Sequence, residues 1–234
     1  YYDIRDFEVI KKSAHLFSND VRLVTDREIA VSEAVEEMSS NCIIVGTLGH
    51  NELIDKLILK KKLDVSTLKD KWESFHIEVV RNPFPGVKKA LVVVGSDRRG
   101  TAYGLFSISE SIGVSPWYWW ADAPVAKRKE LCLKVQKMTS EEPTVKYRGI
   151  FINDEDWGLL RWAKTNFEKE RGNIGPKTYA KVCELLLRLK ANYLCPAMHE
   201  ASTAFNKIPE NKLVADSFAI VMGSVHCEPL LFNN

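Results

Sequence analysis

The stretch Tyr147-Arg148-Gly149-Ile150-Phe151-Ile152-Asn153-Asp154-Glu155-Asp156-Trp157 decides the fold reading of this chain. Its apolar part, Gly149 to Ile152, is short, opens on glycine and stops at a polar, acidic cluster. A continuous apolar run of that length reads as a buried strand, because a strand covered on both faces shows no polar alternation. Three consecutive acids directly after it are costly to bury and do nothing for packing. Two readings follow: a solvated turn that uses Asn and acids as turn formers, or a working loop at a strand's end.

The residues downstream favour the working loop. Pro176 suits the first turn of a helix, and Tyr179, Val182, Leu185, Leu186 and Leu189 give that helix one apolar face. Asn192 to Met198 reads as a second strand, ending at His199-Glu200. A helical segment from about Lys212 to Phe218 leads to a third strand, Ala219 to Gly223, which ends at His226-Cys227-Glu228-Pro229. Each strand is thus followed by an ionisable cluster at its carboxyl end. Parallel βα barrels build their active sites from those loops. The recurrence in three successive units favours a site on one rim.

Upstream, residues 1–143 read as a small α/β domain of alternating strands and helices. Thr25-Asp26-Arg27-Glu28 has the form of a capping box opening a helix to about Met38. Asn41 to Gly46 is a short buried strand. Leu53, Ile54, Leu57 and Ile58 form a helical stripe closed by Lys60-Lys61-Lys62, where cations suit the helix dipole. Phe75, Ile77 and Val79 alternate as a half-buried strand, Ala90 to Val94 is another, and Leu131, Leu133 and Val135 form a last one before Glu141-Glu142-Pro143. Gly95 to Thr101 sits where a phosphate loop would, but Thr101 stands where that loop needs lysine. A tight turn feeding a helix is the better reading. Trp117-Tyr118-Trp119-Trp120 could stack on sugar rings; its place ahead of the domain break favours an interdomain wedge.

Composition narrows the function classes. The 234 residues carry 33 basic and 31 acidic side chains, a formal charge of +2, so the lysine runs read as solvated faces and not as a nucleic-acid stripe. No apolar run approaches the ~20 residues of a membrane helix. The chain opens at Tyr1-Tyr2-Asp3 without a basic-apolar-small pattern, and the expectation is either a cytosolic protein or one whose leader has been removed. The five cysteines are scattered without zinc-site or redox spacing, and Cys42 and Cys132, in apolar runs, read as small core residues.

Several of these motifs, in order, resemble glycoside hydrolase family 115. They are Arg99-Gly100-Thr101-Ala102-Tyr103-Gly104, Gly113 through Asp122, Gly149 through Glu155, Leu185 through Tyr193, Pro196 through Glu200, and Met222-Gly223 with His226 through Pro229. The likeness is carried from about residue 90 to the end. It implies a xylan α-1,2-glucuronidase that removes glucuronic acid or its 4-O-methyl ether by inversion, without cofactor or metal. It further implies an N-terminal α/β domain (1–143) followed by a (β/α)8 TIM barrel, of which 144–234 supplies the first three units. Asp154 takes an active-site, catalytic position by this resemblance; Asn153, His199, His226 and Glu228 are expected to contact sugar or its carboxylate.

A (β/α)8 barrel takes ~250 residues, and 88 follow Lys146 (234 − 146). The main acid and base are therefore expected on later strands, and this chain is expected to be the front part of the enzyme. The expected partners are glucuronoxylan or glucurono-xylo-oligosaccharides, with no nucleic acid and no membrane. A homodimer of the full-length protein and a secreted or periplasmic location complete the expectation. The competing reading is a non-catalytic carbohydrate-binding or scaffold fragment.

Overall fold

The computed structural model describes residues 1–154 and 156–225. The chain divides into two compact units, Tyr1–Thr144 and Val145–Asn234.

The first unit is a mixed sheet with helices on both faces. Its strands are β1 (Asn41–Thr47), β2 (Phe75–Arg81), β3 (Lys89–Gly95) and β4 (Met138–Thr139), in spatial order β1-β3-β2-β4. β1 runs parallel to β3, while β2 is antiparallel to β3 and β4. On one face Leu53, Ile54 and Leu57 of helix α2 (Glu52–Leu59) pack on Ile44, Val80, Ala90, Val92 and Val94. On the other lies α3 (Arg98–Ser111), so close that a Cβ on Gly104 would stand 2.8 Å from Val93 Cγ1. Helix α1 (Glu8–Thr25) packs against α3 and buries Val9, Ile10, Ala14, Phe17 and Val24.

Four expectations are corrected here. Thr25 to Glu28 ends a helix: Thr25 closes α1, and Asp26, left-handed at φ 57°, donates its backbone N–H to Arg22 O at 2.9 Å. Asp tolerates that conformation, so residue types that open helices also close them. Val79 is exposed and Val80 is buried instead, because α2 and its flanking residues cover the second face of β2. The run Leu131–Val135 keeps its alternation but joins no ladder; the edge beside β2 is taken by Met138 and Thr139. Cys132 is accordingly exposed, not a core residue.

The turn after β3 is built by Asp97, whose Oδ1 accepts the N–H groups of Arg99 and Gly100, both at 2.9 Å. Its Oδ2 takes Glu73 N at 2.7 Å. A Cβ on Gly100 would meet Ser74 O at 2.2 Å, and Thr101 is fully buried against Thr47 Oγ1 at 3.0 Å. The glycines therefore allow close backbone approach, and the helix N-terminus is already capped.

The second unit repeats strand and helix: β5 (Gly149–Phe151), α4 (Leu159–Trp162) running into a π-helical turn (Ala163–Phe167), α5 (Pro176–Arg188), β6 (Tyr193–Cys195), α6 (Pro209–Ser217) and β7 (Val221–Met222). The three strands form one parallel sheet in the order β5-β6-β7. Its register is set at the amino end. Buried Asn192 accepts Arg148 N at 3.0 Å and donates to Lys146 O at 2.7 Å, while the Arg148 guanidinium reaches Lys190 O at 2.9 Å. Tyr179 of α5 meets Phe205 edge-on at 4.9 Å, and Leu194 is fully buried.

Two readings change in this unit. β5 is not buried: Ile150 and Phe151 are 41% and 37% exposed. Among the described residues it pairs with β6 alone, so it is an edge strand and its apolar run lacks a second neighbour. Leu189 leaves the apolar stripe because α5 stops at Arg188, and it is exposed.

Candidate active site

Parallel strands bring their following loops to one edge. The loops after β5 and β6, which hold Asn153, Asp154 and His199, therefore share the carboxyl rim of the sheet. His226 and Glu228, expected on the third loop, lie outside the described residues.

Asn153 is exposed on this rim. Asp154 next to it is 4% exposed. Its carboxylate is engaged by the backbone: Oδ1 accepts Gly158 N at 3.3 Å, and Oδ2 accepts Leu160 N. These are N–H groups at the start of the helical segment 159–167, which a carboxylate satisfies and whose dipole it complements. The side chain thus folds the rim loop back on itself. His199 is half-buried, and its Nδ1 accepts Ala201 N at 3.3 Å, which leaves the proton of a neutral ring on Nε2. Pro196, Ala197 and Met198 before it are buried and anchor the loop, while Glu200 is exposed. Asn173 ties the same loop to the start of α5 by accepting Thr203 N at 3.0 Å.

Two residues that matter here were missed by sequence reasoning. Glu168, 2% exposed, gathers the open N-terminus of α5: Gly175 N at 2.9 Å, Thr178 N at 2.8 Å and Thr178 Oγ1 at 2.6 Å. Local capping rules look three residues ahead and cannot find a cap seven to ten residues away. The other is Trp157, 75% exposed on the β5 loop, which ended the opening stretch without being weighed on its own. The rim therefore offers an amide, an imidazole and an indole face, a set suited to hydroxyl-rich ligands. Among the described residues no three His, Cys, Asp or Glu side chains converge as a metal site.

These features define an α/β chain whose second unit repeats strand and helix and gathers polar side chains at one rim. Residues 140–234 match the sequence profile of Glycosyl hydrolase family 115. The solved structure of BtGH115A, described as a novel family GH115 4-O-methyl-α-glucuronidase with specificity for decorated arabinogalactans, is 40% identical, with a TM-score of 0.82. That likeness covers 97% of this chain, so it extends well ahead of residue 90, and 28% of BtGH115A. The chain belongs to glycoside hydrolase family 115. The structure of CpGH84D, 10% identical with a TM-score of 0.52, covers 94% of this chain and 32% of its own, a likeness of fold alone. No curated protein sequence matches the chain.

Proposed function

We propose that the protein carrying this chain is a glycosidase that releases α-1,2-linked glucuronic acid, or its 4-O-methyl ether, from xylan by an inverting displacement. The observation that supports the glycosidase part of this reading is the 40% identity to BtGH115A over 97% of the chain; xylan, the linkage and inversion are what the family resemblance implies. In the same reading 144–234 opens a (β/α)8 barrel whose carboxyl rim holds the sugar. Inversion needs an acid for the leaving oxygen and a base for the attacking water, ~6.5–9.5 Å apart. Asp154 serves this rim first as a positioning carboxylate, because both its oxygens hold backbone N–H groups. Asn153 and His199 Nε2 meet sugar hydroxyls or the uronate, and the family resemblance implies the same kind of contact for His226 and Glu228. A polysaccharide substrate implies a secreted or periplasmic enzyme.

A second substrate reading has its own support: BtGH115A is described as specific for decorated arabinogalactans. The experiment that separates the two gives the full protein glucuronoxylan and arabinogalactan in parallel, with time-resolved NMR of the released uronic acid. Release from glucuronoxylan, appearing first as the β anomer, supports the proposal. Release from arabinogalactan alone transfers it to the second substrate. An α product overturns inversion, and no release from either polymer overturns the glycosidase reading.

A further inference from the structure

Resting on the glycosidase reading, we propose that Trp157 is a stacking platform for a pyranose ring of the substrate at the carboxyl rim of the parallel sheet. Its indole is 75% exposed, more than any other Phe, Tyr or Trp among the described residues. A lone exposed apolar residue is ordinary on a protein surface. Three observations set Trp157 apart from that background.

The first is its place. It follows β5 on the loop that also carries exposed Asn153, and it shares the sheet's carboxyl edge with the His199 loop. The second is how firmly that loop is built. Asp154 is buried and binds the N–H of Gly158, directly after the tryptophan, and that of Leu160 beyond it. Asp156, directly before it, is left-handed at φ 74°, and its carboxylate lies 3.6 Å from Lys164 Nζ. The exposed indole therefore stands on a turn whose backbone is tied down on both sides of it. The third is the π-helical turn Ala163–Phe167 that the loop feeds, stapled by Trp162 stacked on Phe167 at 5.2 Å. Such single π-turns inside helices are frequent at functional sites.

The chemistry fits the ligand class. A pyranose presents C–H groups on a face and hydroxyls around its edge. An indole offers an electron-rich face to the former and an N–H to the latter. Asn153 adds an amide for a further hydroxyl.

The test compares wild-type full-length protein with Trp157→Ala and Trp157→Phe. Initial rates are measured on the polymer that the wild type cleaves and on a xylo-oligosaccharide bearing one 4-O-methylglucuronosyl group, with thermal melts run alongside. The expected result for Trp157→Ala is a KM raised on the order of tenfold with kcat within about twofold, the mark of lost binding shared by ground and transition states. Trp157→Phe, which keeps a smaller ring face, is expected to fall between. The oligosaccharide is also expected to shift tryptophan emission in the wild type and to do so less in Trp157→Ala. Unchanged KM and emission overturn the platform. So does a lowered melting temperature with unchanged kinetics, since the indole then packs against protein. A wild type that releases no uronic acid sinks the underlying glycosidase reading, and the platform with it.

Discussion

The buried carboxylate of Asp154 accepts the backbone N–H of Leu160, six residues further along, and closes the rim loop over Gly158. An amide at this position could accept one of those N–H groups but would turn its own NH2 toward the other. Asp154→Asn is therefore expected to cost about 1–3 kcal/mol of stability and to lower turnover with it. Chemical denaturation beside the uronic-acid assay checks this. Lost turnover at unchanged stability would instead make Asp154 a proton-transfer group.

Glu168 holds the start of α5 through Gly175, Lys177 and Thr178, and so fixes the helix that backs the sheet. Glu168→Ala leaves several buried donors without an acceptor and is expected to cost about 3 kcal/mol, with Glu168→Gln costing less. Denaturant midpoints of the three proteins measure the ranking. A surface-like change of a few tenths would contradict the cap.

In the first unit a methyl group on Gly100 would stand 2.2 Å from Ser74 O. Gly100→Ala forces β2's entry away from α3 and is expected to cost ~1–3 kcal/mol. The same turn, capped by Asp97, is expected to show no calorimetric signal with nucleotide phosphates.

Asp3 is held well below the usual aspartate range, first by the Arg5 guanidinium, against its burial, and further by the N–H groups of Glu52 and Arg5. A depressed carboxylate stabilises the fold fully above its unfolded value, about 4, and loses that contribution as pH falls through the folded value. Asp3→Asn is thus expected to melt below the wild type at pH 7, with the gap closing as pH drops under about 4. Because Arg5 is exposed, added salt should narrow the gap at neutral pH as well. A gap that stays constant with pH would refute the linkage.

Burial pushes the Cys183 thiol up to about 12, whereas Cys132 is exposed. Iodoacetamide at pH 8 is expected to label Cys132 in the native protein and to reach Cys183 and buried Cys195 after unfolding. Peptide mapping by mass spectrometry reads the order. Early labelling of Cys183 would show that α5 opens readily.

Much of this architecture could be read from side-chain order. The stripe of Leu53, Ile54 and Leu57, the β-branched run before Gly95 and Pro176 ahead of Tyr179 and Val182 all mark elements that the structure contains. Their signals are local, set by the 3.6-residue and two-residue periods. Helix α1 was equally legible, since Ile10, Ala14, Phe17 and Val24 fall on one spacing, but the capping pattern at Thr25 drew the helix to the wrong side. The rim was legible as polar residues after apolar runs. The condition of each side chain was not: Asn153 and Asp154 are neighbours of similar polarity, and one is exposed while the other is buried.

The amino-acid sequence by itself determined the alternation of strands and helices, the near-neutral charge and the family, because periodicity, composition and ordered motifs are properties of the chain. Only the tertiary structure decided which strand lies at an edge, leaving Ile150 and Phe151 exposed. It alone decided that Asp154 and Glu168 face backbone N–H groups four to ten residues away. Burial and long-range hydrogen bonding depend on which surfaces meet, and that choice is made by packing the whole unit and not by neighbours along the chain.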